Sequence, residues 1–167
     1  ERVEWTVVTH AGIVGAMGSG SDRAPGAPAG ERVIVTGAAS ELGRRVCRLA
    51  AADPAVSTVV ALDRRSLRGL GPGVETRTVA LATADLKPLF EGATSVVHLA
   101  QADGPRRGGD GTEPTGDRDL ALRILDAAGS VDVRHLVVRS SALVYGAWPD
   151  NPVPLTEAAP LRPNPGV

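Results

Sequence analysis

Short apolar runs recur along the chain, and longer amphipathic segments separate them. The first run, "VIVTG" (33–37), is rich in β-branched residues and ends in glycine, which is typical of a buried parallel strand. Four later runs predict further strands: "STVVALD" (57–63), "VETRTVA" (74–80), "TSVVHLA" (94–100) and "VRHLVVRSS" (133–141).

The segments between these runs predict three helices. The first, "SELGRRVCRLAAADP", stops before Pro54, because a proline disfavours helical conformation in the residue before it. Its predicted buried face consists of Leu42, Val46, Leu49 and Ala50. The second, "DLKPLFEG", is short and closed by Gly92. The third carries five apolar residues in helical register, namely Leu120, Ala121, Ile124, Leu125 and Ala128.

Strands that alternate with helices predict βαβ units with right-handed crossovers. We therefore expect an α/β fold, in which a doubly wound parallel sheet carries helices on both faces. Numbered along the chain, the five predicted strands are expected in the order 3-2-1-4-5, and the sheet is expected to be truncated after the fifth strand.

The first 30 residues differ in composition from the rest of the chain. "GAMGSGS" followed by "APGAPAG" is typical of a flexible linker. Before it, the alternating "VEWTVV" suggests a short strand, or a segment that packs onto a neighbour. We expect residues 1–30 to be an N-terminal extension with a flexible linker, and residues 31–167 to form the main domain.

Composition excludes several classes of partner. Hydrophobic residues make up 43% of the chain, charged residues 22%, and the net charge is −1, so no electrostatic argument favours nucleic acid or a membrane surface. Aromatic residues are only 2%, whereas proteins that stack on single-stranded bases use more rings. No apolar run reaches the roughly 18 to 20 residues needed to span a bilayer.

The cysteine and histidine residues predict no metal centre. Cys47 is the single cysteine, which excludes disulfides within the chain and makes the reducing cytoplasm the expected location. His10, His98 and His135 lie far apart without metal-ligand spacing, so each is expected to be structural.

The junction of the first strand and first helix, "TGAASELG" (36–43), has the character of a phosphate-binding turn. Gly37 would permit the tight turn, and Gly43 would let the helix approach the sheet. Ser40 stands where such turns usually have their middle glycine, so a Cβ lies where the backbone should approach phosphate. Its hydroxyl could bond phosphate or cap the helix.

An acidic residue, Asp63, ends the second predicted strand, 20 residues after Gly43. A carboxylate at this point accepts hydrogen bonds from an adenosine ribose and repels a 2′-phosphate. Arg64 and Arg65 follow, and their guanidinium groups attract such a phosphate. We expect NAD as the cofactor, with NADP less favoured; the alternative is that Asp63 only opens a solvated loop.

Six stretches, taken in order, resemble one family: "VIVTGAASELG", "ALDRR", "ADL", "VVHLA", "SSALVYG" and "PLTEAAPLRPNP". From about Glu31 to Gly166 the chain resembles the N-terminal part of the extended short-chain dehydrogenase/reductase family. Its members are NAD-dependent epimerases and dehydratases that act mainly on nucleotide sugars.

The resemblance implies that residues 31–167 form an incomplete NAD(P)-binding domain of Rossmann-like fold. The implied function is the NAD-binding portion of an epimerase/dehydratase-like oxidoreductase acting on a nucleotide sugar or related alcohol, and a homo-oligomer is compatible with it. The cofactor contacts that it implies are Gly37, Ser40, Glu41, Leu42, Gly43, Asp63, Arg64, Asp85, Leu86, Leu99, Ala100 and Ser140.

The resemblance also assigns the catalytic serine, which is Ser141. It would hold the substrate oxygen while a tyrosinate, assisted by a lysine four residues later, moves the proton. Tyr145 does not fit that tyrosine, because Pro149 stands four residues after it. The family loop points to position 167, which is valine, or to a position just beyond it, and Lys87 is the single lysine. We expect this chain to lack the Tyr–Lys pair and to be inactive alone.

A second interpretation is that the protein has the same fold but catalyses no reaction. A non-catalytic nucleotide-sensing or scaffold protein would need no tyrosine or lysine. Ser40 favours this interpretation, and so does Asp117, which stands where the family usually has an asparagine that supports the active-site water network.

Overall fold

The computed structural model describes residues 5–8, 30–101, 117–131 and 133–164. In chain order the elements are β1 (Trp5–Val8), β2 (Glu31–Thr36), α1 (Glu41–Ala52), β3 (Val56–Asp63), β4 (Val74–Thr78), α2 (Lys87–Phe90), β5 (Ser95–His98), α3 (Asp117–Gly129), β6 (His135–Arg139) and a 3-10 helix (Ala142–Tyr145).

All strands of the described ranges lie in one parallel sheet, in the order β1-β6-β5-β2-β3-β4. The five strands predicted from the sequence, β2 to β6, have the predicted order 3-2-1-4-5, which confirms the Rossmann-like α/β fold. The short strand suggested near the N-terminus is also confirmed, since β1 pairs with the outer edge of β6. The division into an extension at 1–30 and a domain from residue 31 stays a prediction, and the linker at 9–29 lies outside the described residues.

Each face of the sheet has its own apolar core, because alternate residues of a strand point to opposite faces. One core joins strand residues to α2 and α3 and includes Ile34, Val60, Val96, Leu136, Phe90 and Ile124. The other joins strand residues to α1 and includes Val33, Val35, Val59, Ala61 and Cys47. Helices therefore cover both faces, as the doubly wound interpretation predicts.

Helix α1 packs through smaller residues than the sequence suggested. Gly43 and Cys47 are its buried residues, and Val46 and Ala50 pack partly against the core. The prediction was wrong for its two leucines, since Leu42 is 40% exposed and Leu49 is 58% exposed. The reason is the close approach of helix and turn at Gly43, which brings small side chains against the sheet and turns large ones outward.

Helix α3 follows its predicted register more closely. Leu120, Ile124 and Ala128 are buried, whereas Leu125 is 37% exposed. It has 13 residues, and no helix in the described part of the chain has the length and hydropathy needed to cross a membrane.

Candidate cofactor-binding site

The candidate site lies where β2, β3 and β5 end at the same edge of the sheet. β2 lies between β3 and β5, and Thr36 at its end pairs with Leu62 on one side and His98 on the other. The turn from β2 into α1 therefore sits above the middle of three parallel strands. In open α/β sheets, ligands bind outside the carboxyl ends of strands at such a point.

Two glycines give the turn its shape. Gly37 has φ +70, and a Cβ on it would lie 2.5 Å from the backbone nitrogen of Ala100 on the β5 side. A Cβ on Gly43 would overlap the carbonyl oxygen of Gly37 and lie 2.7 Å from Cα of Ala38. Both positions therefore require glycine, one for its backbone angle and one for the contact between helix and turn.

Ser40 is the N-cap of α1. Its hydroxyl accepts a 3.0 Å hydrogen bond from the N–H of Gly43 and donates a 2.8 Å hydrogen bond to the carbonyl of Gly37. The sequence left two roles open for the Ser40 hydroxyl, binding phosphate and capping the helix, and the structure shows the helix cap. Because the hydroxyl has one proton and Gly37 receives it, none remains for a phosphate oxygen.

The first turn of α1 fits a pyrophosphate. An α-helix leaves its first N–H groups without intrahelical acceptors. Ser40 takes the N–H of Gly43, so the amides of Glu41 and Leu42 remain as donors at the positive end of the helix dipole. Their side chains are exposed and do not fill the turn. The residues present therefore suit a bound dinucleotide, with backbone donors for its phosphates.

Asp63 closes the site on the β3 side and is only 5% exposed. Its Oδ2 accepts a 2.9 Å hydrogen bond from the N–H of Ala39, and its Oδ1 accepts one of 2.9 Å from the N–H of Arg65. Burial opposes ionisation of this carboxyl, but the backbone bonds from Arg65 and Ala39 and the Arg65 side chain outweigh it, so the pKa of Asp63 lies below its ordinary value. Asp63 is therefore a buried anion bonded to the turn, not the start of a solvated loop.

The two arginines after Asp63 are both exposed. The Nε of Arg65 lies 3.3 Å from Oδ1 of Asp63 and forms an ion pair with it. Sequence reasoning named Arg64 as a cofactor contact and did not anticipate that Arg65 pairs with Asp63.

A buried polar pair lies below the turn. Oγ1 of Thr36 and Nδ1 of His98 are 2.7 Å apart, and the N–H of Ala100 donates to the same Thr36 oxygen at 3.3 Å. Burial lowers the pKa of His98 to about 4, although the charge of Asp117 opposes the shift. His98 is thus neutral near pH 7 and links β5 to the end of β2. Sequence reasoning expected His98 to be structural and did not identify Thr36 as its partner.

Asp85 and Leu86 belong to a neighbouring groove. Leu86 is buried, while Asp85 is exposed and accepts a 3.2 Å hydrogen bond from the N–H of Lys87. The groove, of about 480 Å³, is lined by residues 83–87 and by α3 residues such as Arg123 and Asp126, and not by the turn at Gly37–Gly43.

The ends of β5 and β6 hold the remaining predicted residues. Leu99 is buried and Ala100 half-buried directly after β5. After β6, Ser140 is half-buried, and Ser141 is exposed at the start of the 3-10 helix. The Ser141 Oγ accepts a 3.3 Å hydrogen bond from the N–H of Leu143, so its own proton stays available to a substrate oxygen.

The segment after the 3-10 helix folds back on itself. Nε1 of Trp148 donates a 2.6 Å hydrogen bond to the carbonyl of Arg162, and the Arg162 side chain bonds Asp150 at 2.9 Å and Asn151 at 3.2 Å. Position 167, to which the family loop points for the catalytic tyrosine, lies outside the described residues. Among the described residues, no group of three or more His, Cys, Asp or Glu side chains is arranged to hold a metal ion.

Comparison with known proteins shows the same fold in solved structures. Uronate dehydrogenase from Agrobacterium tumefaciens has 28% identity and a TM-score of 0.61, over 81% of this chain and 49% of that one. UDP-glucuronic acid 4-epimerase from Bacillus cereus, solved in complex with NAD, has the same fold at 21% identity and a TM-score of 0.61, over 79% and 46%.

Among curated proteins, Uncharacterized protein Mb0513 of Mycobacterium bovis is 31% identical over 147 residues, which are 78% of this chain and 37% of that protein. The chain thus spans less than half the length of each of these three proteins. The family model for NAD dependent epimerases/dehydratases matches residues 33–166. By that match the chain belongs to the NAD-dependent epimerase/dehydratase family.

Proposed function

We propose that the protein is the NAD-binding portion of an epimerase/dehydratase-like oxidoreductase that acts on a nucleotide sugar or a related alcohol. The observation that carries this proposal is the turn at Gly37–Gly43, which ends in a capped helix with two backbone donors and adjoins the buried anion Asp63. The proposed cofactor contacts are Gly37, Ser40, Glu41, Leu42, Gly43, Asp63, Arg64, Asp85, Leu86, Leu99, Ala100 and Ser140.

The turn would bind the cofactor through charge and shape. The amides of Glu41 and Leu42 would donate to pyrophosphate oxygens, and the helix dipole favours the negative charge there. Gly37 and Gly43 keep side chains out of this space, and Ser40 would meet the phosphates with its backbone and Cβ. Oδ2 of Asp63 would accept a hydrogen bond from an adenosine ribose hydroxyl.

Ser141 is the proposed catalytic residue. Bound NAD supplies the acceptor for a hydride from the substrate carbon. The exposed Ser141 hydroxyl would donate its proton in a hydrogen bond to the substrate oxygen and so orient the carbon that loses the hydride. The similarity to a uronate dehydrogenase, at 28% identity, supports a sugar or related alcohol as substrate.

We expect no turnover from these 167 residues by themselves. An unassisted serine hydroxyl is too weak a base at neutral pH. Tyr145 has Pro149 in place of a lysine four residues later, and the single lysine, Lys87, starts α2. The same proposal locates the protein in the cytoplasm, on the ground of its single cysteine, and allows a homo-oligomer.

The proposal is tested by titrating the protein with NADH in a calorimeter. We expect binding that is lost in Gly37→Ala, because a Cβ there would lie 2.5 Å from the Ala100 nitrogen. Gly73→Ala is the matched control, since Gly73 also has a positive φ but nothing within 4 Å of a Cβ. Absence of NADH binding by the unmodified protein, or equal loss in both variants, would contradict the proposed site.

A second measurement addresses catalysis. Nicotinamide absorbance is followed in a single-turnover assay with NAD and a panel of UDP- and dTDP-sugars. NADH formation by the 167-residue chain would contradict the expected inactivity. The alternative function, a non-catalytic nucleotide-sensing or scaffold protein, is favoured by Ser40 in place of the middle glycine and by Asp117 in place of the family's usual asparagine. It predicts NAD binding without turnover even when further chain supplies a Tyr-x-x-x-Lys sequence.

A further inference from the structure

We infer that Arg65 sets the cofactor choice of this protein by pairing with Asp63, so that NADP is accepted nearly as well as NAD. The inference rests on the proposed function and concerns its adenosine end. An acidic residue at the end of the second Rossmann strand normally selects NAD, by bonding the ribose hydroxyls and repelling a 2′-phosphate. In this protein Asp63 has fewer free acceptor positions for the ribose hydroxyls, and its repulsion of a 2′-phosphate is weaker.

The hydrogen-bonding capacity of Asp63 is largely taken up within the protein. Oδ1 accepts from the N–H of Arg65 at 2.9 Å and from its Nε at 3.3 Å, and Oδ2 accepts from the N–H of Ala39 at 2.9 Å. A carboxylate offers about four acceptor positions, two on each oxygen. Oδ1 is therefore filled, and one position remains on Oδ2, so Asp63 offers the ribose a single hydrogen bond and not a bidentate pair.

The charge of Asp63 is also offset. Its side chain is 6% exposed, whereas that of Arg65 is 60% exposed, so the solvent side of this ion pair is the cationic one. The contact uses Nε and leaves both terminal nitrogens of Arg65 outside it. Guanidinium nitrogens in this position suit a phosphate dianion, because hydrogen bonds from charged donors to phosphate are short and strong.

Further cations surround this end of the site. Arg64 is exposed next to Arg65, and Nη1 of Arg44 on α1 donates a 2.7 Å hydrogen bond to the carbonyl of Arg68, which ties the loop after β3 to the helix. The loop is thus held beside the turn with several positive charges. Such a field favours the ligand that carries more negative charge.

The experiment compares dissociation constants for NADH and NADPH. In the unmodified protein we expect the two constants to agree within about tenfold, a difference of about 1.4 kcal/mol. Arg65→Gln should weaken NADPH binding by about tenfold or more, the loss typical of one hydrogen bond to a charged group. NADH binding should not weaken and should tighten if the ribose takes the Oδ1 position that Arg65 Nε occupies. Arg65→Lys should restore part of the NADPH affinity, because it keeps the charge.

Two matched variants locate the effect. Arg48→Gln removes the same charge from an exposed position near the end of α1 and should leave the ratio of the two constants unchanged. Arg64→Gln tests the neighbouring guanidinium. The assignment to Arg65 is overturned if Arg64→Gln changes the ratio and Arg65→Gln does not.

The remaining outcomes separate this inference from the proposed function. Tight NADH binding with NADPH more than about a hundredfold weaker, or an unchanged ratio in Arg65→Gln, would overturn the inference and leave the proposed function standing. Binding of neither dinucleotide would overturn both. Unfolding midpoints of all variants, measured alongside, ensure that each compared protein is folded.

Discussion

The Oδ2 atom of Asp63 accepts a 2.9 Å hydrogen bond from the backbone N–H of Ala39, and this bond joins the end of β3 to the turn between β2 and α1. The same carboxylate accepts the N–H of Arg65 two residues later. One buried anion thus fixes two loops that border the candidate site. The turn is consequently shaped before any cofactor binds, which reduces the ordering cost of binding.

Asp63→Ala should destabilise the protein. It removes the acceptor from the N–H groups of Ala39 and Arg65, and leaving such donors without partners costs about 1 to 3 kcal/mol. Urea unfolding measures the change as a lower midpoint at constant slope. The same variant should bind NADH more weakly, since the turn loses its tie to β3.

Asp126→Ala is the matched control, because it removes an equal charge from an exposed position on α3. Its free energy of unfolding should change by less than about 0.5 kcal/mol. Equal midpoints for the two variants would mean that the Asp63 bonds add nothing to the folded state.

The fold was predictable because its signals are local. Short buried runs of mainly apolar residues, such as Val33–Thr36 and Val59–Leu62, mark parallel strands, and the helices between them fix the connection type. The face of α1 was not predictable by hydrophobicity alone. Leu42 and Leu49 are the larger apolar residues, yet the helix lies so close at Gly43 that smaller residues face the sheet.

The positions of the main site residues were predictable from the sequence, but their hydrogen bonds and ion pairs were not. Gly37, Gly43 and Asp63 follow from strand ends and spacing. The Asp63–Arg65 ion pair depends on side-chain rotamers, and the Thr36–His98 bond depends on the register of strands 62 residues apart in the chain. Neither can be deduced from a linear pattern, because the first depends on a side-chain conformation and the second on the alignment of β2 with β5.

Ser40 should respond differently to alanine and to glycine. Alanine removes the cap and should cost about 1 kcal/mol, whereas glycine is itself a tolerable cap and should cost only a few tenths, by the usual N-cap preferences. Ser40→Gly should also bind NADH more tightly, since it removes a Cβ near the pyrophosphate. Calorimetry and urea unfolding measure both effects. Weaker NADH binding in the glycine variant would mean that the hydroxyl contacts phosphate.

Gly43→Ala should destabilise the fold and weaken NADH binding together. The added Cβ overlaps the carbonyl oxygen of Gly37, and backbone atoms cannot move aside as a flexible side chain can. Overpacking of this kind costs about 1 to 3 kcal/mol. Gly129→Ala, in α3 with nothing within 4 Å of the new Cβ, is the control and should not destabilise. Unchanged stability of Gly43→Ala would contradict the close packing at this point.

Stability should fall in mild acid because of His98. Burial lowers its pKa from 6.5 to about 4, so the folded state disfavours protonation. The contribution of a lowered pKa is complete above 6.5 and is lost as pH falls toward 4, by about 3 kcal/mol at most. Asp63, whose pKa is also lowered, adds a loss at still lower pH, below its ordinary 3.8. Urea unfolding at several pH values measures the slope.

His98→Gln separates the two groups. It removes the histidine titration and should flatten the slope between pH 6.5 and 4, while the loss below that range stays, because Asp63 is intact. His135→Gln is the control, since His135 is exposed and its change should leave the slope as it was. A slope unaffected by His98→Gln would show that the pH dependence has another source.

Arg162→Ala should open the segment after the 3-10 helix without unfolding the sheet. The Arg162 side chain holds Asp150 and Asn151, while its carbonyl accepts from Trp148. The ion pair with Asp150 is exposed, and such pairs add little to global stability but limit local opening. Amide hydrogen exchange should therefore rise across residues 147–162, and the urea midpoint should stay unchanged.

Arg45→Ala, on the exposed side of α1, is the control and should change neither the exchange across residues 147–162 nor the urea midpoint. High salt should increase exchange in the unmodified protein, because it screens the exposed Asp150–Arg162 pair. Exchange that is equal in Arg162→Ala and the unmodified protein would mean that backbone contacts alone close the segment.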